Sequence, residues 1–231
     1  MLVSPEMADI TSDWFDPGFW GSKARPVATG GRGGAWFVNS PEGAVVLRQY
    51  RRGGLASRLS DSSYFFTGDD RTRSFAEFRL LKELSDMGLP VPEPVAALVQ
   101  RNGPLTYCAS IIIRRIPGAV PLPESESLQE AALWCRVGAM LRRFHDAGLY
   151  HADLNCDNIL AADDGLFLID FDKCRLQKAS PGPASWKNRN LSRLWRSVRK
   201  RCTSLSPESK ERVWFAFCEG YGLNEQVGRE F

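Results

Sequence analysis

Residues 150–160 read YHADLNCDNIL, and a little further on residues 167–174 read FLIDFDKC. The first stretch sets an Asp, an Asn and a second Asp, with one His, before a short apolar run. The second leads apolar residues into Asp170 and Asp172. Carboxylates and an amide in this order suit phosphoryl transfer. That reaction needs a carboxylate to orient the nucleophile and accept its proton, and oxygen ligands to hold a divalent metal on a triphosphate. Asp153 is the candidate base; Asn158, five residues on, and Asp170 are the candidate ligands for Mg2+. His151, one of two histidines, is expected to brace the loop, because Asp153 already occupies the catalytic place. Asp157 stands at no ligand position and is expected in solvent, and Asp172 either helps Asp170 hold metal or caps the next turn. Any one of these acids alone is more often a solvated loop residue; the ordered set points to a site.

Such a set must be carried on a loop between a helix and a strand. Ser127 and Glu130 form the S-x-x-E pattern of a capping box, which predicts a helix from there to about Asp146, closed by Gly148. Asp163-Asp164-Gly165 predicts the turn of a hairpin that ends in LFLID, and the chain from about Ala184 on reads as mainly helical. Upstream, residues 27–50 hold two β-like runs around a turn at 41–43, which predicts a β-hairpin with a flexible glycine tip before it. Residues 51–73 read as an irregular insertion. Apolar residues at 75, 78, 81 and 84, with Gly88 beyond, predict an amphipathic helix. LPVPEPVAALVQ then yields to a strand, and residues 107–116, with Ile111, Ile112 and Ile113, predict a buried strand ended by IPG. The expected fold class is α+β within a single domain, with a small β-rich lobe over about 20–116 and a mainly helical lobe over about 117–231.

The order His151-Ala152-Asp153-Leu154, Asn158, then Asp170-Phe171-Asp172 resembles the protein-kinase-like catalytic core, in which H-R-D-L-x-x-x-N precedes D-F-G. The resemblance implies a bilobal fold and assigns further roles. Residues 31–38, GRGGAWFV, approximate G-x-G-x-x-G-x-V, with Trp36 at the third glycine; Gly31, Gly33 and Val38 are then expected at the nucleotide. Arg48 stands in the lysine slot of V-A-I-K and keeps a charge that can fork two phosphate oxygens. Glu77 is its expected ion-pair partner, against the plain alternative of an exposed helical Glu. Residues 114–116 are expected as the hinge between lobes, where backbone groups of Arg114 and Ile116 would meet adenine.

Composition bounds the rest. Apolar residues at 43% and charged residues at 25% fit a folded globular protein and exclude a disordered or collagenous one. The six cysteines form no C-x-x-C pair, so zinc and redox motifs lack their signature and reduced thiols in the cytosol are expected. The first twenty residues carry acids and prolines where a signal peptide needs a basic start and an apolar core. No apolar run approaches the roughly 20 residues of a membrane span. Net charge is only +3, yet KNRNLSRLWRSVRKR at 187–201 holds seven positive residues and no acid. That segment suits an anionic surface, or else a core-facing apolar stripe with a solvated basic back. No nucleic-acid module accompanies it, and no nucleic-acid or obligate protein partner is expected.

Peptide-directed kinases carry a long activation segment and A-P-E after D-F-G, and neither is present, which favours a small or lipid-linked acceptor. More closely, the chain resembles the lipopolysaccharide-core kinases of Gram-negative bacteria, above all those acting on 3-deoxy-D-manno-octulosonic acid (Kdo). The residues that carry this are VVLRQYRRGGLASRL (45–59), SFAEFRLL (74–81), GLPVPEPVAA (88–97), IIIRRIPGA (111–119), FHDAGLYHADLNCDNIL (144–160) and LFLIDFDKCRL (166–176). The resemblance implies transfer of the γ-phosphoryl group of ATP to the 4-OH of Kdo on a lipid A precursor. It also implies a peripheral protein on the cytoplasmic face of the inner membrane. Such an acceptor is anionic and sits at an anionic surface, which suits Arg51, Arg52 and Arg58 beside the phosphate site and the basic helix. The alternatives are a heptose kinase of the same pathway, a small atypical protein kinase, and, outside enzymes, a pseudokinase that binds nucleotide or anionic lipid.

Overall fold

Short apolar strands and two long amphipathic runs set the architecture of this computed structural model, which describes residues 1–7, 9–27, 34–50, 64–66, 68, 71–177 and 185–223. The chain divides into two units, one of residues 1–86 with 92–115 and one of 87–91 with 116–231.

In the first unit the strands are β1 (Leu2–Val3), β2 (Ala24–Pro26), β3 (Ala35–Ser40), β4 (Gly43–Gln49) and β5 (Tyr64–Phe65). Helix α1 (Arg73–Asp86) follows, then β6 (Pro94–Arg101) and β7 (Thr106–Arg114). Among the described residues these strands form one antiparallel sheet in the order β1-β6-β7-β4-β3-β2, with β5 paired to β7. The β3–β4 hairpin turns at Pro41-Glu42, with Ser40 opposite Gly43 and Val38 opposite Val45. Alternation along β4 sends Val45 and Leu47 into the core and leaves Arg48 on the other face. Helix α1 buries Phe75, Phe78, Leu81 and Leu84, as their spacing predicts, and packs on β6 and β7.

The unit starts at Met1 rather than near residue 20. β1 adds an edge strand to β6, and short 3-10 turns at Ser12–Phe15 and Pro17–Lys23 deliver Trp14, Phe15 and Trp20 to the core around Val38, Val45, Leu47 and Ile112. The two indoles meet edge to face at 4.9 Å, and Trp20 Nε1 donates to Trp14 O at 2.9 Å. Apolar aromatics of this size must be covered, and the strand scaffold alone leaves them bare.

The second unit contains β8 (Val120–Pro121), α2 (Ala131–Asp146), β9 (Leu149–Tyr150), β10 (Ile159–Ala162), β11 (Gly165–Leu168), β12 (Arg175–Leu176), α3 (Ser185–Arg201) and α4 (Pro207–Tyr221). Its small sheets run β11-β10-β8 and β12-β9, all antiparallel. Helix α2 ends at Asp146 as expected but starts later than the capping box predicts. Ser127 Oγ bonds Glu130 Oε1 at 3.0 Å within a turn, Glu130 N donates to Ser127 O, and the helix begins at Ala131 with no side-chain cap. The pair closes a turn of its own because each side chain finds the other before it finds a helix amide. Helices α2 and α4 meet backbone to backbone. A Cβ at Gly138 would stand 2.1 Å from Phe217 O, and one at Gly220 would stand 1.9 Å from Cys135 O. On α3 the apolar stripe of Leu191, Leu194, Trp195 and Val198 is buried. No described helix is long and apolar enough to cross a membrane.

Candidate active site

The second unit assembles Asp153, Asn158 and Asp170. After α2, Gly148 takes φ +88° and turns the chain into β9, which pairs with β12. That pairing sets Tyr150 opposite Arg175, so residues just before His151 lie beside those just after Asp172. The loop then passes through a short 3-10 turn at Cys156–Asn158 into β10. Ile159 pairs with Leu168 across the β10–β11 hairpin, and Ile169 N donates to Asn158 O at 2.9 Å. Hairpin register thus brings Asn158 next to the residue that precedes Asp170. Asp170 itself adopts φ +62°, a left-handed conformation that a non-glycine residue holds only where its surroundings impose it. The surroundings here are Phe171, buried beside Phe144 and His151, and Cys174, whose N–H donates to Phe171 O.

The loop's amides are satisfied by side chains rather than by a strand ladder. His151 N donates to Asn190 Oδ1 at 3.1 Å, and Asn190 Nδ2 returns a bond to His151 O at 2.8 Å. Ala152 N donates to Cys174 Sγ, and Cys156 N to Ser197 Oγ at 2.9 Å. Asn155 caps the 3-10 turn, accepting from Asp157 N and Asn158 N. Asp157 is not simply solvated: Arg201 forks its carboxylate through three contacts of 2.9–3.1 Å. Arg193 Nη1 reaches Asp153 Oδ1 at 3.3 Å. Asn190, Arg193, Ser197 and Arg201 recur every three or four residues, so one stripe of α3 reads along the whole loop.

Asp153 is exposed, with its carboxylate touched by Arg193 and, at 3.3 Å, by Asn155 Nδ2. Asn158 Nδ2 donates to Asp153 O at 2.9 Å, which orients the amide and leaves Oδ1 as an oxygen donor. The donor set of Asn158 Oδ1 and the Asp170 carboxylate is hard oxygen. It fits Mg2+, which takes one or two protein oxygens and completes its shell with phosphates and water. His151 is buried and braces the loop, as expected. Its Nε2 faces Ile169 O at 3.0 Å and must donate, while Nδ1 has no partner among the described residues. Burial holds this imidazole below its ordinary pKa, so it stays neutral.

In the first unit the structure brings Arg48 and Glu77 together: Arg48 Nη2 bonds Glu77 Oε2. Glu77 is buried, not an exposed helical acid, while the Arg48 side chain beside it keeps a partly exposed end. Tyr50 joins them, donating its hydroxyl to Glu77 and lying under the Arg48 guanidinium, 4.9 Å from ring centre to Cζ. Burial, with Glu77 adding to it, pushes the Tyr50 phenol well above its ordinary pKa. Val38 is 1% exposed and belongs to the hydrophobic core, because its place in the β3 alternation points it inward. Arg114 N donates to Glu93 O and its guanidinium bonds Glu42 O, so its N–H is not available to an adenine. Ile116 N makes no backbone bond among the described residues. Gly31, Gly33, Arg51, Arg52 and Arg58 lie outside the described residues.

Tyr50, Asn190, Arg193, Ser197 and Arg201 were not predicted as site residues. One signal was legible: Asn190 is a polar residue at a core-facing position of the apolar stripe of α3, and a buried amide needs partners.

The chain is similar to known proteins in both sequence and fold. The family model described as "Lipopolysaccharide kinase (Kdo/WaaP) family" matches residues 18–221. A protein of Stenotrophomonas maltophilia (strain R551-3) called 3-deoxy-D-manno-octulosonic acid kinase is 45% identical over 214 residues, 92% of this chain and 84% of that one. One of the same name from Xanthomonas campestris pv. campestris (strain B100) is 50% identical over 212 residues, 90% and 83% of the two chains. Among solved structures, WaaP in complex with acyl carrier protein aligns with a TM-score of 0.54 at 20% identity, over 94% of this chain and 85% of that one. An aminoglycoside-3'-phosphotransferase of type VIII aligns at 0.57 and 14% identity, over 89% and 90%. At these identities the structures show a shared protein-kinase-like α+β fold.

Proposed function

Because the chain belongs to the lipopolysaccharide kinase (Kdo/WaaP) family, we propose that it transfers the γ-phosphoryl group of ATP to a hydroxyl of Kdo, the 4-OH, on a lipid A precursor. The observation that carries the chemistry is the loop from His151 to Asn158, held by α3 with Asp153 presented to solvent and Asn158 locked beside the approach to Asp170. Support for the acceptor comes from the identity of 45–50% to proteins named as Kdo kinases over nine tenths of the chain.

In this reading Asp153 orients the acceptor hydroxyl and takes its proton. Asn158 and Asp170 hold Mg2+, which when bound neutralises charge on the triphosphate. Asn158 is kept in the ligand orientation by its own bond to Asp153 O, so base and metal ligand are placed by one loop conformation. Arg48 binds phosphate oxygens, with Glu77 and Tyr50 fixing its guanidinium. Gly31 and Gly33 approach the phosphates through backbone N–H groups, Ile116 N–H meets adenine, and Arg51, Arg52 and Arg58 serve the anionic acceptor. The protein works at the cytoplasmic face of the inner membrane as a peripheral protein, drawn to anionic lipid by the basic face of α3.

The test is transfer of labelled phosphate from ATP with Mg2+ to three acceptors in parallel: Kdo-bearing lipid A precursor, the same lipid without Kdo, and a generic protein. Label on the Kdo-bearing lipid alone supports the reading, and phosphorus NMR of the product reports which oxygen carries it. Measurable ATP binding with no transfer to any acceptor refutes it in favour of a pseudokinase. Flotation with vesicles containing anionic lipid, against neutral vesicles, tests the location.

A further inference from the structure

Of the four α3 side chains that meet the loop, three do structural work that is complete. Asn190 is buried and bonds the main chain of His151 in both directions, Ser197 accepts a main-chain amide, and Arg201 forks Asp157 through three contacts. Arg193 differs. It makes a single contact, Nη1 to Asp153 Oδ1 at 3.3 Å, between side chains that are 43% and 62% exposed. One such contact between solvated groups contributes little to stability, so bracing does not account for it. Its other guanidinium N–H groups have no partner among the described residues.

Position gives Arg193 a different use. An acceptor hydroxyl that hands its proton to Asp153 must lie within hydrogen-bond reach of that carboxylate, and hence within one side chain of this guanidinium. The acceptor in the reading above is a sugar acid. Its carboxylate would be repelled by Asp153 standing alone, whereas the Asp153–Arg193 pair carries no net charge and the guanidinium fork beside it attracts a carboxylate. Helix α3 carries no acid, and Arg189 and Arg196 lie exposed one turn to either side of Arg193, so nothing on the helix competes for the guanidinium.

We propose that Arg193 is the acceptor-specificity residue of this site: it releases Asp153 and takes the acceptor's carboxylate through paired N–H···O bonds as the hydroxyl reaches the base. This rests on the Kdo kinase reading and adds to it the group by which the sugar acid is chosen. The exchange moves no proton and breaks no covalent bond. It replaces one ion pair of Arg193 by another and leaves Asp153 Oδ1 to accept from the hydroxyl.

The experiment compares the full-length wild type with Arg193→Gln and Arg193→Lys, using ATP with Mg2+ and two acceptors. One acceptor is the Kdo-bearing lipid A precursor and the other is the same lipid with the Kdo carboxylate converted to the carboxamide. The wild type is expected to prefer the acid in kcat/KM by about tenfold to a hundredfold, the range of one charge-assisted interaction. Arg193→Gln is expected to lose that preference through the acceptor KM, with the KM for ATP unmoved, and Arg193→Lys to recover part of it. A Gln variant that keeps the full preference, or that loses activity equally on both acceptors, overturns the inference while leaving the kinase reading intact. No transfer by the wild type to either acceptor overturns the kinase reading and the inference with it.

Discussion

Lowering the pH from 7 to 5 is expected to destabilise the second unit through His145. This imidazole is 2% exposed at the C-terminal end of α2, with Nδ1 2.6 Å from the Tyr221 hydroxyl and Trp186 edge-on to the ring. Burial is the main cause that brings its pKa from 6.5 down to about 4, with the Lys187 ammonium next, while Asn190 and Asp146 oppose the shift. The native state therefore keeps His145 neutral where the unfolded chain takes up a proton. The contribution is intact above the unfolded value and is lost as pH falls from about 6.5 toward 4. Linkage across these two pKa values gives a loss of about 2 kcal/mol between pH 7 and pH 5. His151 is lowered in the same direction and adds to the total, so the variant His145→Gln isolates the term. Urea unfolding followed by tryptophan fluorescence at the two pH values measures it. The wild type should lose about 2 kcal/mol more than the Gln variant; equal losses in the two proteins would refute the account of this histidine as a buried neutral group.

Three other perturbations test other parts of the structure. Asn190→Ala leaves the buried N–H and C=O of His151 without partners, so stability is expected to drop by about 2–5 kcal/mol, with kcat falling and ATP affinity retained in a direct binding assay. Gly220→Ala adds a methyl group 1.9 Å from Cys135 O. The helix-propensity gain of about 1 kcal/mol is outweighed by forcing α2 and α4 apart, which in a packed interior costs about 1–3 kcal/mol or more, so the melting temperature should fall, and a rise would show that the helices separate freely. Arg48→Ala strips the cation from buried Glu77 and is expected to lower kcat/KM for ATP about tenfold to a hundredfold; unchanged kinetics for ATP would remove Arg48 from the site.

What could be read from the sequence follows the range of the interactions. The α1 stripe and the β3–β4 hairpin depend on spacing within a few residues, and both appear where predicted; Asp153, Asn158 and Asp170 lie on the loop, 3-10 turn and hairpin that the same short spacing outlines. Arg48 and Glu77, 29 residues apart, could be paired only through the resemblance to kinases. Tyr50 was missed because its role comes from facing Glu77 across the fold, and its own neighbours in the chain do not reveal that. The N-terminal segment is not legible as part of the β-rich lobe because its 3-10 turns have no period. Its tryptophans were the available clue. Ser127 and Glu130 show the converse failure: a local pattern was present, but its two members satisfied each other and the helix started at Ala131.

The side-chain bonds that hold the catalytic loop also set when it can form. His151 and Asn190 are 39 residues apart, Cys156 and Ser197 are 41, and Asp157 and Arg201 are 44. Each closes a long loop, so its entropy must be met before the bond rewards it. During synthesis every signature residue through Asp170 leaves the ribosome before α3 does. A chain stopped short of Ser185 would contain the full H-x-D-L-x-x-x-N and D-F-D text and still lack the stripe that arranges it. The loop is thus among the last parts of the molecule to become ordered, and appearance of activity on refolding would report the docking of α3 rather than the formation of the strands that carry the motif.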